Sequence, residues 1–284
     1  MMKKVMITLT LVVLLVPFTA CEEELPAGEE LMSRVFEAME EVDSYKEEMD
    51  VTMQFYFEGA DYTPDMPLSA DIAAGSLVIL DVASEEMAMT MECDVSGEDE
   101  DFTMKIEIAI YLVDGMLYTL LDVPMMPSEW NKSPLPEGYW GQMSCAEMQM
   151  KLLEAADFEV IGKERKENVE CYVVQMEPDL VQLFKMIIEQ TLLPAGATLD
   201  AEFDMSTDMV KNCSVKMWID KEEYLIIYAE AQFDMEVTPE MFGEYGEEGM
   251  MSANATMNMR VYDYDQSVEI ILPEEAEEAT ESLM

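Results

Sequence analysis

The sequence predicts an α+β fold in which a strongly curved antiparallel sheet wraps around a few helices. Three observations carry that prediction. Segment after segment alternates apolar and polar residues with a period of two, so each strand has one apolar and one polar face. Apolar residues recur at three- and four-residue spacing only near 29–42, 145–156 and 178–190. The apolar sheet face therefore exceeds what so few helices can cover as a separate layer, and a curved sheet closing over them solves the burial problem. Two domains divided near Pro134 are the alternative.

Taken in order, Lys3 and Lys4 precede an almost wholly apolar run, 5–18, and the small residues Thr19 and Ala20 precede Cys21. That order is a secretory signal peptide, and the run is shorter than the roughly 20 residues that span a bilayer. Phe18-Thr-Ala-Cys21 resembles the bacterial lipobox, with Phe18 where Leu is commoner. The expected organisation is a signal peptide over 1–20, an acidic tether over 21–28 beginning at a lipidated Cys21, one domain over 29–275 and an acidic tail over 276–284. Lipid on Cys21 would hold the chain on the outer face of the cell membrane, since stable anchoring takes more than one acyl chain.

In the helix over 29–42, Leu31, Val35, Phe36, Met39 and Val42 share a face. After Ser44 the period becomes two: Met49, Val51, Met53, Phe55 and Phe57 oppose Asp50, Thr52, Gln54 and Tyr56. A turn-rich loop over 59–67 leads to a short apolar run over 77–82. Met87, Met89, Met91, Cys93 and Val95 form the next stripe, and Met104, Ile106, Ile108, Ile110 and Leu112 the one after it. Asp114-Gly115 is a hairpin signal leading into 116–123. The proline-rich stretch 124–141, with Trp130 and Trp140, reads as a surface crossing. Residues 158–163 and 169–176 read as a hairpin with a basic turn at 163–166. Three long alternating runs follow, carrying Cys213, Val215, Met217 and Ile219; then Leu225, Ile227, Ala229, Ala231, Phe233 and Met235; then Ala255, Met257, Met259 and Val261. Residues 268–272 and Pro273 close the domain ahead of an acidic, partly helical tail.

Composition excludes several function classes. With 15 basic against 62 acidic residues the formal charge is −47, which repels nucleic acid and anionic lipid surfaces alike. The chain has no histidine, so the Ser-His and Cys-His nucleophile pairs and the commonest zinc ligand are missing. No CxxC spacing or Asp-x-Asp-x-Asp-Gly loop is present; no metal, cofactor or catalytic residue is expected, and no enzymatic activity. Glu202 and Asp204 would share a strand face, yet read as a solvated polar edge with Phe203 and Met205 turned inward. Beyond Cys21, Cys93, Cys145, Cys171 and Cys213 allow two disulfides in three connectivities, or four buried thiols.

Thirty methionines are the most unusual feature of the composition, and many fall on the apolar stripes. Methionine is flexible and polarizable and adapts to varied apolar partners. The stripes nominate Met49, Met53, Phe55, Met87, Met89, Met91, Met104, Ile106, Ile108, Met217, Ile227, Phe233, Met257 and Met259 as the lining of an apolar cavity. A plain core filled by the same side chains is the competing reading; thioether copper(I) binding by Met87, Met89 and Met91 lacks any supporting histidine.

The segments 31–45 running into Met49-Asp-Val-Thr-Met53, then Cys171-Tyr-Val-Val-Gln-Met-Glu-Pro-Asp179, Val215-Lys-Met-Trp-Ile-Asp-Lys-Glu-Glu-Tyr-Leu225 and the closing Ile271-Leu-Pro-Glu-Glu-Ala276, resemble in order the LolA/LppX-like bacterial lipoproteins. That resemblance implies an open antiparallel half-barrel over a hydrophobic cavity, and a role in binding or carrying a lipid or other hydrophobic small molecule. The acidity and the methionine content depart from it. An envelope sensor or protein-interaction module, holding an envelope protein partner at its acidic face or an edge strand, is the alternative.

Overall fold

The computed structural model describes residues 25–59, 69–97, 103–135, 140, 156–177, 210–237 and 249–279. The expected helices over 145–156 and 178–190, the signal peptide, Cys21, Cys145 and the Glu202/Asp204 pair lie outside these residues.

The chain enters through α1 (Gly28–Glu40) and continues into β1 (Ser44–Gly59), β2 (Ser69–Asp81), β3 (Glu86–Gly97), β4 (Thr103–Val113), β5 (Met116–Asp122) and β6 (Asn131–Pro134). The second series is β7 (Asp157–Lys166), β8 (Val169–Glu177), β9 (Val210–Asp220), β10 (Ile226–Val237) and β11 (Gly249–Tyr262), ending in the single turn α2 (Glu274–Glu277). The strands form one 11-stranded sheet in the order β6-β5-β4-β3-β2-β1-β11-β10-β9-β8-β7. Both series are antiparallel meanders, and they meet where β1 pairs antiparallel with β11 from Lys46↔Tyr262 to Gly59↔Gly249. The first and last of these strands thus share one hydrogen-bond ladder at the centre of the sheet, and the two series form one continuous sheet.

Register fixes two faces, because directly opposed residues on neighbouring antiparallel strands point the same way. The inner face carries Met49, Val51, Met53 and Phe55 of β1 with their partners. Leu31, Met32 and Val35 of α1 insert there among Tyr172, Val174, Met176, Met217, Ile219, Ile226 and Ala229. A second core group holds Val42, Tyr45, Val78, Leu80, Met87, Leu112, Leu225 and Val261, and Met39 and Met259 pack against both groups. Gly28 lets the first turn of α1 touch β7: a Cβ there would sit 2.4 Å from the Phe158 carbonyl oxygen.

Local chemistry explains the turns. Asp114 and Gly115 both have positive φ (53° and 70°), as a two-residue hairpin matching the strand twist requires. Glu167 and Asn168 do the same between β7 and β8, at 50° and 71°. The basic residues 163–166 are therefore in the strand, not in the turn predicted for them. Two further expectations are corrected. Residues 131–134 of the proline-rich crossing pair with β5 as an edge strand, Met116↔Pro134 to Thr119↔Asn131. The strand expected over 77–82 extends back to Ser69; its first half escaped notice because its inner positions Ala70, Ala74 and Ser76 are small.

Candidate functional site

Beyond the two core groups the inner face continues as a broad apolar floor. Successive rows cross the sheet: Ile108, Met91, Ser76, Met49, Met259, Ala229 and Met217; then Ile106, Cys93, Ala74, Val51, Met257, Ala231 and Val215; then Met104, Val95, Ile72, Met53, Ala255, Phe233 and Cys213. A fourth row holds Ala70, Phe55, Ala253 and Met235. No described inner position in these rows is charged, in a chain whose residues are 27% charged. Long side chains alternate with alanines, and Ala229, Ala231, Ala253 and Ala255 are buried while Met49, Met53, Phe55, Met91, Met104 and Met257 around them are half-buried. Unequal lengths on a rigid ladder leave a corrugated surface, and methionine is the side chain best able to reshape one.

Thirteen of the fourteen residues nominated from the stripes lie on this face. Met87 and Met217 are buried within the core groups, while Met89 and Met259 pack against them. Ile227 is the exception. A register shift between Ile226 and Tyr228 turns it to the outer face, where it packs against Cys171, Val173 and Trp218. The bulge puts Ile226 inward instead, and period-two counting cannot anticipate an inserted residue.

Glu47 and Tyr264 place polar groups on the inner face near the core. Glu47, 6% exposed, stands opposite Val78 and Val261. Tyr264 lies beside Tyr45, ring centroids 6.0 Å apart, and donates its hydroxyl to the Ile226 carbonyl at 2.5 Å. Burial, with Tyr45 and Glu47 nearby, drives the Tyr264 phenol well above its ordinary pKa. Cys93, Cys171 and Cys213 are free, and burial pushes each thiol above its ordinary pKa.

The outer face holds a cluster that sequence reading missed. The Lys166 ammonium sits 3.5 Å from the Tyr228 ring centroid and 4.4 Å from that of Trp218. Lys216 approaches Trp218 to 4.4 Å, and the indole N–H donates to Glu164 at 3.0 Å. That hydrogen bond is the largest influence holding the Glu164 carboxyl below its usual range; burial opposes it, and the charges of Lys216 and Lys166 add to the lowering. Alongside, Arg260 donates to Glu167 at 2.8 Å, and Tyr262 donates its hydroxyl to Glu48 at 2.7 Å. Strands β7 to β11 bring these residues together from distant parts of the chain. Among the described residues no group of three or more Cys, Asp or Glu could hold a metal ion, and no helix is long and apolar enough to cross a membrane.

Solved structures similar to this one include lipoprotein LppX of Mycobacterium tuberculosis, at 9% identity and a TM-score of 0.35 over 85% of this chain and 97% of that one. An outer membrane lipoprotein-sorting protein domain assigned in Vibrio parahaemolyticus is similar at 13% identity and a TM-score of 0.25, over 85% and 94% of the two chains. The MucA/MucB complex of Pseudomonas aeruginosa is similar at 10% identity and a TM-score of 0.25, over 80% and 56%. No functionally curated protein matches the sequence. Residues 27–281 match the profile of a family of unknown function, DUF6612, and the chain belongs to that family.

Proposed function

We propose that the inner face binds a hydrophobic ligand, an acyl chain or a molecule of similar apolarity, and that lipid on Cys21 keeps the protein at a membrane surface. The observation that carries the first part is the uncharged, corrugated and half-buried floor spread over β1–β4 and β9–β11. Burying apolar ligand surface there gains roughly 25 cal/mol per Å² before the costs of association are subtracted. Alanines beside long methionines let the floor follow ligands of differing thickness, which favours a carrier of a class of molecules over a receptor for one.

Native mass spectrometry and solvent extraction of protein purified from its own host test the reading. Co-purifying lipid, or uptake of a fluorescent fatty acid probe that Ala255→Phe weakens, is the expected result. Protein that is lipid-free as isolated and takes up no probe would end it. The anchor is tested separately: Cys21→Ser should leave the cleaved protein soluble, and continued membrane association of that variant would refute it.

A further inference from the structure

A groove of ≈ 350 Å³ lies across β11, β1, β2 and β3. Two rows of the outer face line it, Asn254, Gln54, Asp71 and Ser96, then Thr256, Thr52, Ala73 and Asp94, and Met53 and Ile72 contribute between them. We propose that this groove binds a polyhydroxylated ligand, a short glycan segment, independently of whatever the inner face holds. Outer and inner positions alternate along each strand, so the two sites occupy opposite sides of the sheet.

The lining has the mixture that sugar hydroxyls need. Carboxylates accept, amides and hydroxyls both donate and accept, and all stand on a paired four-stranded ladder that fixes their spacing. Part of the network is already set: Gln54 donates to Asp71 at 2.9 Å, and the Thr52 and Thr256 hydroxyls are 2.5 Å apart. Among the described residues Asp94, Ser96 and Asn254 make no side-chain hydrogen bond with one another or their neighbours, which leaves acceptor and donor capacity open at the groove. Tyr56, 43% exposed, stands one row further along β1 and donates its hydroxyl to the Gln54 side-chain Oε1 at 3.4 Å. It offers a flat apolar ring at the groove's end, of the kind on which a sugar ring can lie.

Other ligand classes fit less well. An apolar molecule would cover Asp94, Ser96 and Asn254 without offering them a hydrogen bond. A metal ion lacks three converging ligands here. Lys105, cross-strand neighbour of Asp94, turns instead to Glu92 at 3.0 Å and Glu107 at 3.2 Å, so no phosphate or sulfate is invited. An organic amine is the serious competitor, because Asp71 and Asp94 both carry charge, and salt separates the two: binding of a neutral sugar is insensitive to it, whereas amine binding is screened.

The experiment is titration of the full chain with chitotetraose, maltotetraose and spermidine at low and high salt, read by calorimetry. Saturable binding of at least one glycan is expected at millimolar concentration or below, unchanged by salt. Gln54→Ala with Asp71→Ala should weaken it about tenfold, since hydrogen bonds to a charged group are lost. Asp94→Asn, which preserves shape, should weaken it less; circular dichroism confirms that both variants fold. The proposal is overturned if neither glycan binds, if binding survives in the double variant, or if only spermidine binds and salt abolishes it.

Discussion

Gly28 begins α1 hard against the backbone of β7, and its lack of a side chain is what permits the contact. Gly28→Ala would place a methyl 2.4 Å from the Phe158 carbonyl oxygen, which as backbone cannot swing aside. A loss of about 1–3 kcal/mol, the usual cost of overpacking, is expected in urea unfolding. Tyr262 makes a different prediction, in alkali. Burial, followed by the hydrogen bond to Glu48, pushes its phenol up to about 12 from 10.0. Between those values the unfolded chain has released the proton and the folded chain still holds it, so folding binds a proton and stability falls as pH rises. The contribution is whole below the unfolded pKa and is lost as pH climbs through the folded one. Tyr262→Phe should flatten the decline in unfolding midpoint across that window; an unchanged slope would assign the decline to other groups, Tyr264 first among them.

At the scale of elements, α1 is held by a narrow stripe. Leu31 and Val35 are fully buried against β8, β9 and β10. Leu31→Ala should cost about 2–5 kcal/mol and loosen the helix before the sheet, visible as early hydrogen exchange confined to α1. Such a helix was legible in the sequence because Leu31 and Val35 recur at helical spacing, and β1, β3, β4 and β11 because every second residue is large and apolar. Where that contrast weakens, so does the reading. The first half of β2 places Ala70, Ala74 and Ser76 inward, and β6 borders the sheet with only short pairing. The basic residues 163–166 look like a turn by composition, but the αL geometry at Asn168 puts the turn later. Ile227 was misassigned for a reason no pattern of twos contains, the bulge at 226–228. The methionine stripes were visible strand by strand. Neither the cage of Lys166, Trp218 and Tyr228 nor the polar groove was, since each forms from residues far apart whose juxtaposition is a matter of register.

For the whole molecule, charge is the dominant external lever. A chain of formal charge −47 repels itself, and the described rows of the inner face beyond the core carry no charge to offset it. Screening shortens the reach of that repulsion from about 30 Å at 0.01 M salt to about 3 Å at 1 M. The thermal midpoint should therefore rise with sodium chloride, and a midpoint that fell or stayed level would mean that the carboxylates are locally compensated by more than the few visible ion pairs. Because one ladder runs through both meanders, the same scan should show a single transition.

The pairing of β1 with β11 also sets a schedule for biosynthesis. A ribosome delivers β1 first and β11 last of these eleven strands, and the two are partners from Lys46↔Tyr262 to Gly59↔Gly249. Until β11 has been synthesised, β1 has its β2 edge satisfied and its other edge open. The nascent chain can close its hairpins one by one, but the central ladder waits for the last strand. A chain truncated before residue 249 loses the seam itself, and should be recovered as a degradable intermediate rather than a smaller stable protein.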